Sequence, residues 1–239
     1  MEVVYWMWNN GFMLLYALLF LISIYRYPKY FDTPMRILPL LLAYTLTTEV
    51  IGMLIRDYPE FSLFIEDYHK NNNWLLYNIY GILEFLAFLW VYSRYITRFN
   101  IRPFILIALS GFILVSIWNA LLWDFRTVSQ VYAYWWSAGV LMILIALYLY
   151  QEWKRDPRTG FQHNLLVWIS IGLFIFSLAY APIDYLRFLV VHDGLEYYSW
   201  IRPLHLSVIY IYYGCMLLGL LIMDPMKYPD KKTRRKAGL

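Results

Sequence analysis

The chain has 239 residues, 62% hydrophobic and only 15% charged, with a mean hydropathy of +0.50 and a formal net charge of +4. A water-soluble domain of this size cannot hide so much apolar surface, whereas a bilayer is itself an apolar solvent. The single cysteine, Cys215, excludes an intramolecular disulfide framework and a cysteine-based zinc site. The basic residues gather in connections, a pattern that sets membrane orientation and argues against nucleic-acid binding.

A helix needs about 20 apolar residues to cross a hydrocarbon core of about 30 Å. Seven windows meet that requirement and predict an all-α transmembrane bundle over 1–226, followed by a basic tail at 227–239. The approximate spans are 8–25, 36–55, 73–95, 103–123, 129–151, 164–186 and 203–223. The first begins after Glu2, without a basic leader region or a small-residue cleavage site behind Ile22, so it is expected to stay as a span.

The second span is interrupted only by Glu49. The connection after it holds Phe61 to Ile65, which reads equally as a membrane-surface amphipathic turn or a packed loop. The third span carries Asn78, Gly81 and Glu84. At 1.5 Å of rise per residue, Glu84 falls about 15 Å beyond Trp74, near the midplane. The fourth span holds Asn119 beside Trp118, and Gln130 and Tyr132 open the fifth. In the sixth, Tyr180, Asp184 and Arg187 share one face, and Pro182 frees a backbone carbonyl. The seventh opens with Arg202 and His205 and contains no lysine, which excludes a retinal Schiff base.

Orientation follows from the basic residues: fifteen of the 20 lysines and arginines fall on the side of the tail. The positive-inside rule therefore predicts a cytoplasmic C-terminus and an outer N-terminus, in the inner (cytoplasmic) membrane. An odd number of spans is needed for this alternation.

Carboxylates inside a span are costly, roughly 2.5–3.5 kcal/mol each at the bilayer centre, so they turn inward and find partners. Glu49, Asn78, Glu84, Asn119, Tyr180, Asp184 and His205 all fall in the half predicted to be outermost, while the inner half reads as mostly Leu, Ile, Val and Phe. Helices one and five look poor in polar groups beyond their ends, and most tyrosines read as interface anchors. The asymmetry suggests an outward-facing polar cavity lined by those seven residues, in a receptor- or sensor-like protein that binds a small or lipidic ligand. The plainer alternative is a set of interhelical hydrogen bonds and an Asp184 ion pair with Arg187 or Arg202 that holds the bundle together. A secondary transporter, a scaffold subunit or, less favoured, a metal-dependent intramembrane hydrolase are the other readings. No catalytic residue, metal ligand set or cofactor is expected. The expected partners are membrane lipids, the ligand and a cytoplasmic signalling protein.

The segment Asn71-Asn72-Asn73-Trp74-Leu75-Leu76-Tyr77-Asn78 leading to Glu84-Phe85, together with Glu49 in the second span, carries one resemblance. On these motifs the chain resembles a loose group of uncharacterised bacterial seven-transmembrane-helix proteins, common in Bacteroidetes. The likeness runs along the chain as shared topology and implies no activity.

Overall fold

A computed structural model describes residues 2–63, 71–155, 161–192, 196 and 198–226, with side chains omitted at 2–10, 191 and 192. Seven α-helices occur among the described residues: α1 (Glu2–Arg26), α2 (Leu38–Asp57), α3 (Trp74–Tyr95), α4 (Arg102–Leu122), α5 (Val131–Arg155), α6 (Leu165–His192) and α7 (Ile201–Ile222). Each contains a stretch long and apolar enough to cross a membrane, and no strand occurs among the described residues. Helices satisfy their own backbone hydrogen bonds, the condition for spanning hydrocarbon. The basic tail at 227–239 lies outside the described residues. So does part of the suggested surface turn at 61–65; its first residue, Phe61, is exposed and ends a 3-10 turn over Pro59–Phe61.

Helix α1 lies against α2 and α7, α7 against α6, α6 against α5, α5 against α3, and α3 against α2. Six helices thus close a ring, and α4 packs on α5 from outside while touching α3. Burial reflects this: half of the α5 span (50%) is buried, but only 17% of the α4 span. Leu106, Ile107, Leu114 and Leu121 of α4 are correspondingly exposed, as lipid-facing residues should be. Gly111 lets α4 approach closely, because a Cβ there would run into the Trp136 ring of α5. The Trp136 indole N–H donates to the Ala108 carbonyl at 3.0 Å and fixes the seam.

Helix ends are tied by side chains. Asn164 accepts from the Leu166 N–H at 3.0 Å and caps α6. The last carbonyls of α7 face cationic or ring donors: Arg26 donates to Leu221 (3.0 Å), Lys29 donates to Met223 (2.8 Å), and His163 Nδ1 lies 2.9 Å from the Ile222 oxygen. These bonds satisfy groups with no intrahelical partner and suit the negative end of the helix dipole. Helix α6 continues through Pro182 to His192, six residues beyond the span expected to end at 186.

Two ends of the bundle follow. The basic end carries residues 27–37, 96–101 and 161–164, and the acidic end carries residues 58–63, 71–73, 123–130 and 198–200. The basic half is not simply apolar, contrary to the sequence expectation. Gln151 accepts from the N–H groups of Thr97 (2.8 Å) and Arg98 (2.9 Å) and donates to Tyr95 O (3.0 Å). Tyr92 and Ser170 hydroxyls meet at 2.8 Å, and Asn164 donates to the Tyr148 hydroxyl at 2.9 Å. A sequence window averages these few groups into their apolar neighbours, yet each one closes a helix end or a helix pair.

Candidate functional site

The ring of helices encloses a cavity of about 160 Å³ in the acidic half. Six of the seven residues singled out from sequence line it: Glu49, Asn78, Glu84, Tyr180, Asp184 and His205. Asn119 does not. Its side-chain oxygen accepts from the Tyr132 N–H at 2.9 Å and, more weakly, from Ala133 at 3.4 Å, which caps the first turn of α5. Its depth in the span gave no hint of this, because a capping role depends on a neighbouring helix.

Asn78 also has a structural task. Its amide nitrogen donates to the carbonyls of Phe125 and Val128, both at 2.8 Å, and its oxygen accepts from Gln130 N at 3.2 Å. One side chain of α3 therefore holds the α4–α5 connection over the cavity. Both amide hydrogens are used, so Asn78 has only acceptor capacity left.

The carboxylates are arranged differently. Tyr77 donates its hydroxyl to Glu49 Oε2 at 3.0 Å. Gly52, nearly one turn beyond Glu49, makes room for it, since a Cβ there would sit 2.6 Å from the Tyr77 oxygen. Glu84 has the Tyr80 hydroxyl as its hydrogen-bonding neighbour, and Tyr80 meets Thr45 Oγ1 at 3.0 Å. Asp184 is 2% exposed, and the Ser129 hydroxyl donates to it from 3.1 Å. Arg187 instead turns to His205, its guanidinium 2.9 Å from Nδ1. A guanidinium only donates, so Nδ1 is the acceptor and the ring's proton resides on Nε2. The neutral imidazole packs against Tyr180, ring centroids 4.8 Å apart.

Tyrosine is the commonest residue in the wall. Tyr16, Tyr77, Tyr80, Tyr134, Tyr180, Tyr212 and Tyr213, seven of the 24 tyrosines, border the cavity. Helices one and five, expected to be poor in polar groups, bring Tyr16 and the group Gln130, Tyr134 and Ser137. A tyrosine in an apolar window carries the same sequence signal whether it faces lipid or the bundle, so only packing separates the two.

By sequence, Gln130 opens the fifth span. The structure places it in the wall, 7% exposed, with neither amide atom paired to any described residue. The Ser116 hydroxyl, also in the wall, is likewise unpaired. Buried polar groups are nearly always hydrogen-bonded, to protein or to ordered water, so these need a partner that the described residues do not supply; Thr48 Oγ1 and Asn119 Nδ2, outside the wall, are in the same position. Beyond the Glu84 floor lies a second cavity of about 20 Å³, which shares Thr45, Tyr80, Glu84, Tyr212 and Tyr213 with the first. Among the described residues no group of three His, Cys, Asp or Glu side chains could hold a metal ion.

No family model, curated protein or solved structure matches the chain.

Proposed function

We propose that this multi-pass membrane protein is receptor- or sensor-like and binds a small molecule in the cavity of its acidic half. The carrying observation is the buried Gln130 amide, which borders the cavity without a protein partner. The positive-inside bias supports an outward-facing site and residence in the cytoplasmic membrane. Size supports a compact ligand over an acyl chain: a cavity of about 150 Å³ holds a benzene-sized molecule. Glu49, Asn78, Glu84, Tyr180, Asp184 and His205 form the wall around it, with Gln130 added. Asn119 stands outside the wall, its oxygen capping α5.

Gly81 supplies the test. It borders the cavity, and a Cβ added there meets nothing within 4 Å. Gly81→Leu should fill the space while raising stability by about 1 kcal/mol through helix propensity. Compounds of benzene to phenylethylamine size that raise the thermal midpoint of the parent should then leave the variant's midpoint unmoved. Equal shifts in both proteins would place binding elsewhere and end this reading.

Transport is the second reading, favoured by the cavity beyond Glu84. A carrier would give substrate flux across proteoliposome membranes; a sensor would bind the same compound without flux.

A further inference from the structure

The walls of the cavity differ in charge from what a neutral or anionic ligand would need. Glu49 and Glu84 both border it, and neither has a basic side chain within 4 Å among the described residues. The basic groups nearest this region are otherwise engaged: Arg56 binds Asp57 at 2.8 Å, and Arg187 donates to His205. His205 accepts at Nδ1 and is neutral. A carboxylate inside a membrane protein is held charged best by a cationic partner; Glu49 has the Tyr77 hydroxyl with Arg56 only at longer range, and Glu84 has the Tyr80 hydroxyl, so neither has a cation in contact among the described residues.

The surrounding surface is aromatic. Tyr16 and Tyr213, ring centroids 4.3 Å apart, both lie within electrostatic reach of Glu49 and of Glu84. Tyr80 and Tyr212 complete the floor around Glu84. Ring faces are negative, so a cage of tyrosines with two acids favours an ammonium group, which gains both Coulomb and cation–π attraction there. The Gln130 amide is the independent sign of a ligand, being more than nine-tenths buried and unpaired in the same wall. Its backbone N–H is bound to the side chain of Asn78, six residues before Glu84, so the Gln130 main chain stands about 9 Å along the helix axis from the level of the acidic floor.

We infer that the ligand is a small organic cation, an amine or quaternary ammonium. Its charged end sits between Glu49 and Glu84 within the tyrosine cage, and a polar group at its other end meets the Gln130 amide. The inference rests on the cavity being a binding site and adds the class of molecule.

Three probes of nearly one shape separate charge from fit: tetramethylammonium, tert-butanol and pivalate. Each is added at millimolar concentration to the full chain in nanodiscs, against a sodium chloride blank of equal ionic strength. Tetramethylammonium should raise the thermal midpoint by several degrees, tert-butanol little, and pivalate not at all. Glu49→Gln and Glu84→Gln should each weaken its binding at least tenfold. Gln151→Leu, at the basic end and outside the cavity wall, loses three hydrogen bonds to backbone groups, so it should lower stability yet retain binding and show that general disturbance is not the cause. Equal or stronger stabilisation by tert-butanol or pivalate would overturn the cation while leaving a small-molecule site intact. Binding by none of the three would overturn both, as would tetramethylammonium binding that both glutamine variants leave unchanged overturn the cation alone.

Discussion

Two buried glutamines stand at opposite ends of α5, Gln130 at 7% and Gln151 at 8% exposure. Gln151 spends its amide on three backbone groups of the α3–α4 connection. Gln130 spends its amide on none. The same side chain at nearly the same burial thus stands in two different environments. In the basic half, polar groups pair with each other and lock helix ends. In the acidic half, several are presented to a cavity. Burial alone says nothing of function here; the inventory of hydrogen-bond partners does.

If this division is right, the largest losses of stability should come from the amides that are fully used. Asn78→Leu should cost most, about 3–4 kcal/mol, because it leaves the Phe125 and Val128 carbonyls and the Gln130 N–H without partners. The expected reading is a lower thermal midpoint in detergent together with faster proteolysis in the 123–130 connection. Unchanged stability would mean that Asn78 belongs with the presented groups. Gln151→Leu should follow at about 2–3 kcal/mol, slightly less because Arg98 is exposed and water can replace part of what is lost. It should leave any ligand response untouched, since Gln151 is not part of the cavity wall.

Gly111→Ala tests the outer seam of the ring. Its methyl would press on the Trp136 ring, and the gain in helix propensity offsets only part of the strain, so a net loss of about 1–2 kcal/mol is expected. Double-mutant analysis with Trp136→Phe should recover most of it. Full additivity would show that α4 is not seated on α5 through this contact.

Seven apolar windows separated by charged connections were enough to count the helices, because length and hydropathy are properties of each segment alone. The site was legible in part for the same reason. Glu49, Glu84 and Asp184 stand out in apolar windows, since carboxylates are so costly there. What the windows could not show was the far side of each contact. Asn119 caps a neighbouring helix, Asn78 braces a neighbouring connection, and Arg187 takes His205 as its partner; each depends on which helices are adjacent. The tyrosines were the largest omission, because a phenol suits a lipid interface and a cavity wall equally well.

Gln130→Leu should have the smallest effect on stability and the most decisive one on function. An unpaired buried amide contributes no hydrogen bond to the fold and carries a desolvation cost, so an apolar replacement of similar size should shift unfolding by less than about 0.5 kcal/mol or raise it slightly. Gln151→Leu, chemically the same change near the other end of α5, serves as the internal control. A ligand that bonds the Gln130 amide should bind the variant about five- to twentyfold more weakly, from the loss of about 1–1.5 kcal/mol. Should Gln130→Leu instead destabilise the protein as much as Gln151→Leu, then Gln130 is a structural clamp as well, and the two ends of α5 do not differ. A stable variant with weakened binding would fix the contrast: α5 is anchored at its basic end and offers its other end to a ligand.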